Sequence, residues 1–220
     1  MSFGFDNIPE RKGYLRQAGL QLNATFIGLS YNATEAYEYF DIEFETEDGR
    51  MFRERTFGPN IDKVFPKAKY ENGEQVGTET KQEAFDRLHE EISRKLYYLA
   101  TCFVKPDALA GIKGVSQLKT VIDKMNQAIA GHTEKRVNFL TIWKNSPSKE
   151  KSNLIIADKV KWCEATKYDG EGKVLPATIT LTSYQKNNCM VEQYPYNGSS
   201  NESVKTDAPI IAGGGDDLPF

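Results

Sequence analysis

The most regular alternation of polar and apolar residues along this chain lies within residues 37–45. Phe40, Ile42 and Phe44 fall on one face of that segment, which is the two-residue period of a half-buried strand. A Glu-Asp-Gly turn follows, and the chain returns through residues 50–57. The pattern therefore predicts a β-hairpin with one apolar and one polar face.

The register of this hairpin follows from its charges and rings. A two-residue loop would set Glu43 against Glu54 and Phe44 against Arg53, whereas a three-residue loop joins opposite charges and matched rings. The favoured register places Glu54 on the apolar face, and we expect it near the rim. This register pairs Tyr39 with Phe57, Asp41 with Arg55, Glu43 with Arg53, and Phe44 with Phe52.

Periodicity elsewhere predicts further strands and two helices. The first helix begins at Thr80, whose spacing to Glu83 is that of a capping box, and its apolar stripe continues to Phe103. Residues 58–77 are rich in glycine and proline and are predicted to form a loop. The other predicted elements are a strand over 20–31, a helix over about 116–131, and strands over 134–144, 153–162, 177–184 and 189–196.

The order of these elements predicts a mainly β, α+β fold. Three strands, a helical segment over about 80–131 and then further strands is the order of an OB-fold, a five-stranded and partly open barrel. We therefore expect one OB-fold-like nucleic-acid-binding domain over 1–196, followed by a disordered acidic tail over 197–220. Such folds bind nucleic acid on strands 2 and 3 and on the loops that join strands 1–2 and 4–5.

The polar face of the hairpin carries rings and arginines that suit a single nucleic-acid strand. Rings accept stacked bases without sequence preference, and arginines bind phosphates. The alternative is equally compatible with these residues: another element covers the face, Tyr39 and Phe57 join a second small core, and the arginines form surface ion pairs. The candidate binding residues here are Tyr37, Tyr39, Arg53, Arg55 and Phe57.

A second candidate region is the most basic stretch of the chain. Residues 134–161 hold seven basic and three acidic residues, and two tryptophans bracket the loop over 144–152. Basic residues interleaved with aromatic rings favour a groove that follows a nucleic-acid backbone. The alternative is a solvated lysine loop between two core tryptophans. The candidate residues are Trp143, Lys144, Lys149, Lys151 and Trp162.

The acidity of the chain lies in its last residues. The formal net charge of −3 is accounted for by residues 198–220, which hold one lysine and four carboxylates, so the body is neutral. Three glycines at 213–215 precede Asp216, Asp217, Leu218, Pro219 and Phe220. These residues resemble the acidic tip of bacterial-type single-stranded DNA-binding proteins, with Leu218 where isoleucine is usual and Gly215 where an aspartate is common. The size and predicted architecture of the chain are similar to those of phage-encoded members of that family.

The resemblance implies a non-enzymatic protein that binds single-stranded DNA with little sequence preference. Its tip would recruit replication, recombination and repair proteins and compete with DNA for the basic groove. The alternatives are a metal-dependent nuclease or recombination enzyme that uses Asp41 and Glu43, and an adaptor or virion protein that does not bind DNA.

The remaining composition favours a protein without a prosthetic group. Its three cysteines form no CxxC pair, and the only histidines are His89 and His132, so we expect no metal site, no cofactor and no disulfide framework. We expect neither a secretion signal nor a membrane span, and hence a cytoplasmic protein, in the host cytoplasm if phage-encoded. The oligomeric state stays open, a homo-oligomer included.

Overall fold

A curled half-barrel sheet with helices forms the mixed α/β fold of the protein. The computed structural model describes residues 13–112, 114–132 and 134–195. The main sheet has six strands, in the order β3-β2-β1-β6-β7 with β8 also paired to β6. The strands are β1 (Gly19–Ala33), β2 (Glu38–Glu45), β3 (Met51–Phe57), β4 (Ala68–Glu71), β5 (Glu74–Thr78), β6 (Arg136–Ser146), β7 (Lys151–Ile156) and β8 (Cys163–Ala165). The α-helices are α1 (Lys81–Thr101), α2 (Leu118–Ile129) and α3 (Ser183–Asn188).

The long strand β1 belongs to both halves of the sheet. Its second half pairs with β2 from Thr25 to Ala33, and its first half pairs with β6 from Gly19 to Thr25. The register shifts once in each half, and Asn23, inside one of these irregularities, has φ 53°. Irregularities of this kind increase the local twist of a strand, so they help β1 turn the sheet back on itself.

The predicted register of the β2–β3 hairpin is confirmed. Tyr39 pairs with Phe57, and the turn closes with a 2.9 Å hydrogen bond from Thr46 N to Arg50 O. Gly49 has φ 82°, a conformation that glycine adopts without strain. The apolar side chains of both strands face the core, where Phe44 stacks on Phe139 of β6 with ring centroids 4.5 Å apart.

A buried carboxylate links the two open edges of the half-barrel. Glu54 of β3 accepts a hydrogen bond from the backbone N–H of Ile156 in β7 and another from the Lys95 ammonium of α1. Lys95 also donates to Thr56 Oγ1 at 3.3 Å. The prediction that Glu54 lies near the rim is wrong, because its exposed fraction is 0%. The ion pair and the β7 N–H together let a charged group occupy the apolar face.

The two helices predicted from periodicity, α1 and α2, are confirmed, although α2 begins and ends about two residues inside its predicted bounds. The Thr80–Glu83 capping box is present at the start of α1, and Leu96 and Leu99 of this helix are buried in the main core. On α2, the four residues of the predicted stripe are buried: Leu118, Ile122, Met125 and Ile129. These helices lie between β3 and β6 in the chain.

A second apolar cluster covers the outer face of β6 and β7. Leu140, Ile142 and Ile155 of the sheet pack there with Ile179 and Leu181 of the C-terminal segment. Because strand β6 has an apolar cluster on each side, its seven residues from Val137 to Trp143 are all buried.

The two strands predicted in the C-terminal segment are wrong. Residues 177–182 form no strand, 183–188 are α3, and 189–195 are irregular. Ile179 and Leu181 alternate with exposed threonines because this segment buries only one of its sides. The Thr178 N–H donates to the Glu164 carboxylate at 2.8 Å and not to a neighbouring strand. Thr182 and Gln185 then form a capping box that starts α3.

The predicted loop over 58–77 contains a missed hairpin, β4–β5. Its turn is Asn72-Gly73, with φ values of 50° and 86°. This dipeptide is a strong two-residue hairpin signal, but the flanking strands are exposed and lack an apolar alternation. The predicted strand over 153–162 is also too long, because β7 ends at Ile156 and the chain turns before β8.

Two of the cysteines, distant in sequence, meet in the core. Cys102 and Cys163 are buried free thiols with Sγ atoms 3.6 Å apart, and burial raises the pKa of the Cys163 thiol. Among the described residues, no helix is both long and apolar enough to cross a bilayer. The predicted tail over 197–220, with its tip, lies outside the described residues.

Candidate nucleic-acid interface

Three rings meet on the outward side of the β2–β3 hairpin. The Phe57 ring centroid lies 5.7 Å from that of Tyr37 and 5.7 Å from that of Tyr39, with edge-on or tilted planes. Such edge-to-face contacts fix ring positions without covering every ring face. We call Tyr37, Tyr39, Arg53, Arg55 and Phe57 the hairpin face. Tyr37 is the most exposed of its rings, at 36%.

Arg55 lies across this ring cluster. Its guanidinium carbon is 4.1 Å from the Tyr39 ring centroid, a cation–π distance. The same guanidinium donates two hydrogen bonds to Asp41, at 3.0 and 3.2 Å, and this carboxylate is almost fully buried. Asp41 thus orients Arg55 over the ring. Arg53 forms a similar pair with Glu43, nearer the turn of the hairpin.

A further cation, Lys63, lies beside the hairpin face although no sequence pattern predicts it there. Its ammonium nitrogen lies 3.6 Å from the Tyr37 ring centroid and donates to Ala36 O at 3.1 Å. Lys63 comes from the irregular segment after β3, where no periodicity indicates its direction. The first ring of the hairpin face therefore has a cation beside it as well.

Both arginines on the outward side of β2 and β3 are paired with carboxylates. Asp41 and Glu43 face Arg55 and Arg53 in two ion pairs. These ion pairs agree with the alternative interpretation of the arginines. The other part of that alternative, a second core built on Tyr39 and Phe57, is not observed: the two apolar clusters among the described residues contain neither ring.

Neither tryptophan presents a ring face for stacking. Trp143 is 6% exposed and Trp162 is 2% exposed, and both belong to the main core. Trp162 donates its indole N–H to Lys95 O at 3.2 Å. The prediction that Trp143 and Trp162 stack on bases is therefore wrong, because β6 and the segment before β8 turn these side chains inward.

The basic loop is shorter than predicted. Strand β6 continues to Ser146 and β7 begins at Lys151, so only residues 147–150 form the turn. The segment 191–194 packs beside it: Asn145 Nδ2 donates to Val191 O at 3.0 Å, and Tyr194 N donates to Ser152 Oγ at 2.9 Å. Lys149 and Lys151 are exposed at this end of the sheet, whereas Lys144 lies on β6 and is half-buried.

A groove runs along the seam where β3, β7 and α1 meet. Its volume is about 240 Å³, and Phe57, Lys144 and Trp162 all contribute to its lining. The seam groove therefore brings one residue of the hairpin face together with two residues of the basic stretch. Its other cationic residues are Lys67, Arg94, Lys95 and Lys159.

Little in the sequence indicates the seam groove. Lys159 belongs to the basic stretch but is not among its candidate binding residues, and Arg94 lies on the polar side of α1. No periodic pattern in the sequence predicts that Lys67 lines the groove. The groove depends on how α1 crosses the open edges of the sheet, which is a long-range property.

Asp41 and Glu43, the candidate metal ligands of the nuclease alternative, each bind an arginine. Within the described ranges no group of three or more His, Cys, Asp and Glu side chains could hold a metal ion. The tip residues Asp216, Asp217, Leu218, Pro219 and Phe220 lie outside the described ranges.

No protein-family model matches the chain, and a search of curated proteins returns no significant match.

Proposed function

We propose that the protein is a non-enzymatic, sequence-nonspecific single-stranded DNA-binding protein that acts in replication, recombination and repair. The observation that carries this proposal is the ring cluster of Tyr37, Tyr39 and Phe57 on the outward side of the hairpin, with Arg55 held over Tyr39. Exposed rings beside arginines bind stacked bases without reading their sequence.

The strand order supports an OB-like interpretation of the curled sheet. β1 pairs with β2 and β6, β2 with β3, and β6 with β7, while the α1–α2 segment separates β3 from β6. Glu54 then joins β3 to β7 across the remaining gap. In an OB-fold the second and third strands carry the binding face, and here those strands are β2 and β3.

In the proposed complex the bases stack on the hairpin face and cations meet the phosphates. Arg53 and Arg55 exchange part of their interaction with Glu43 and Asp41 for the nucleic acid, and Lys144, Lys149 and Lys151 add positive charge near β6 and β7. The tip Asp216–Phe220 recruits partner proteins, as its resemblance implies. Trp143 and Trp162 support the core and do not stack.

Binding of a labelled oligothymidine, followed by fluorescence anisotropy, tests the proposal. The double variant Tyr37→Ala/Tyr39→Ala is expected to lose affinity about tenfold or more, because stacking contributes ~1–3 kcal/mol per base. The matched control is Tyr70→Ala/Tyr184→Ala, which removes two tyrosines that are 65% and 70% exposed elsewhere on the surface. The control is expected to bind as wild type does.

Two results would contradict the proposal. Equal loss in both double variants would show that the hairpin face has no special role. If the wild-type protein does not bind the oligothymidine even at low salt, the protein is better interpreted as an adaptor whose tip is its functional part. Duplex DNA of the same length serves as the competitor and is expected to displace the single strand poorly.

A further inference from the structure

We propose that the seam groove binds backbone phosphates of the same DNA strand, after the strand has crossed the hairpin face at Phe57. This inference rests on the proposed function and extends it, because it gives the strand a path beyond β2 and β3. It also assigns a binding role to Lys67, Arg94 and Lys159, which lie on three separate segments of the chain.

The seam groove adjoins the hairpin face at Phe57. Phe57 is the last residue of β3, and its ring contacts both tyrosines of the hairpin face while its side chain also lines the groove. Thr56, beside it, lines the groove as well. A strand that stacks on the rings therefore reaches the groove mouth without leaving the protein surface.

The lining of the groove is predominantly cationic, with five cationic side chains and two carboxylates. Two of these cations have acidic partners outside the lining: Lys95 pairs with Glu54, and Arg94 pairs with Glu90 at 3.9 Å. Both carboxylates of the lining have partners: Glu91 pairs with Arg87 at 3.3 Å, and Asp158 accepts from Gln185 at 3.2 Å. The lining thus keeps an excess of positive charge that a polyanion would neutralise.

The hairpin face differs from the groove in that carboxylates pair with its arginines. The two ion pairs engage both Arg53 and Arg55, so stacking on the rings supplies much of the attraction there and phosphates need further cations nearby. The side chains of Lys67, Arg94 and Lys159 are exposed at the groove, which lies next to this face. The two regions therefore complement each other: one takes bases, and the other takes phosphates.

Oligothymidines of two lengths test this path. One has about 4 nucleotides, enough for the rings, and the other has about 16, the upper site size of a single OB-fold. The triple variant Lys67→Gln/Arg94→Gln/Lys159→Gln is compared with wild type over a range of salt concentrations. The matched control, Lys105→Gln/Lys167→Gln/Lys173→Gln, removes the same charge from exposed positions outside the groove lining.

The triple variant is expected to bind the long oligonucleotide more weakly than wild type does. The plot of log K against log salt is also expected to be less steep, by about 2 in the magnitude of its negative slope, because each single-strand phosphate contact contributes about 0.7. The affinity of the triple variant for the short oligonucleotide is expected to stay within about twofold of wild type. The control variant is expected to bind both oligonucleotides within about twofold of wild type. All six substitutions change exposed side chains, so the fold is expected to be kept.

Several outcomes overturn the inference. A wild-type salt slope in the triple variant would mean that no phosphate contacts the groove, although the proposed function would stand. The same affinity loss for both lengths, or an equal loss in the control, would mean that these cations act only through net charge. If the wild-type protein binds neither oligonucleotide, the proposed function and this inference fail together.

Discussion

Glu54 shows how one buried carboxylate stabilises two strands that share no regular ladder. It sits on the apolar side of β3, accepts from the Ile156 N–H of β7, and pairs with Lys95 of α1. A buried ion pair adds little net stability over an apolar substitute, but breaking it leaves an unpaired charge in the core. Its position at the seam also places Lys95 in the lining of the groove.

We expect Glu54→Gln to lower the free energy of unfolding by about 3 kcal/mol, because the Lys95 ammonium then has no counter-charge in a buried site. Urea denaturation at neutral pH measures this change. The matched control is Glu43→Gln, which breaks an ion pair on the outward side of the same hairpin and is expected to cost at most about 1 kcal/mol.

A second variant separates the charge effect from a packing defect. Glu54→Leu/Lys95→Met removes both charges, so it is expected to be more stable than Glu54→Gln even though the Ile156 N–H loses its acceptor. If Glu54→Gln unfolds within about 0.5 kcal/mol of wild type, the ion pair does not hold the seam.

At the scale of elements, the first turn of α1 is joined to the exposed β4–β5 hairpin. Glu83 accepts from Lys69 of β4 at 2.7 Å and from the Thr80 N–H at 2.8 Å. These two hydrogen bonds, that of Lys69 first, lower the pKa of the Glu83 carboxyl from 4.5 to about 2. The ionised carboxylate therefore stabilises the folded state above pH 4.5, and this contribution is lost as the pH falls toward 2.

We accordingly expect Glu83→Gln to be less stable than wild type at neutral pH, with a difference that shrinks below pH 4.5 and disappears near pH 2. Glutamine can keep the capping hydrogen bond, so the variant isolates the charge. Urea midpoints measured across this pH range give the difference curve. Glu90→Gln, which removes a carboxylate with a 77% exposed side chain from the same helix, is the control. A pH-independent difference would contradict the expectation.

The elements that the sequence predicts well are those whose information is local. Cross-strand charges and rings determine the register of the β2–β3 hairpin, and a capping box with an apolar stripe determines α1. The strand predicted over 177–184 is wrong because alternation indicates burial on one side and does not require pairing with another strand. Ile179 and Leu181 are buried against β6 and β7.

The candidate site is predictable only where its residues share one local element. Tyr39, Arg53, Arg55 and Phe57 alternate along two paired strands, so their common side follows from the register, and Tyr37 comes just before β2. The burial of Trp143 and Trp162, and the seam groove, depend on which elements pack on β6 and where α1 crosses the sheet. Those are long-range contacts, which spacing along the chain does not encode.

For the molecule as a whole, charge is separated between the body and the C-terminal residues. Residues 198–220 carry the formal net charge of −3, and the rest of the chain is neutral overall but cationic around the seam groove. Residues 191–194, near the end of the described chain, pack beside the β6–β7 turn that carries Lys149. The described part of the chain therefore ends close to Lys149, one of the cations that we assign to DNA binding.

This charge separation predicts that deletion of residues 216–220 tightens binding of single-stranded DNA severalfold at low salt, because two carboxylates no longer compete for the same cations. The effect is expected to vanish near 1 M salt, where the Debye length is about 3 Å. Asp216→Asn/Asp217→Asn should reproduce the deletion, whereas Leu218→Ser/Phe220→Ser, which keeps both charges, should bind DNA as wild type does. Equilibrium titrations at several salt concentrations distinguish these variants, and an unchanged affinity after the deletion at low salt would show that the tip does not compete with DNA.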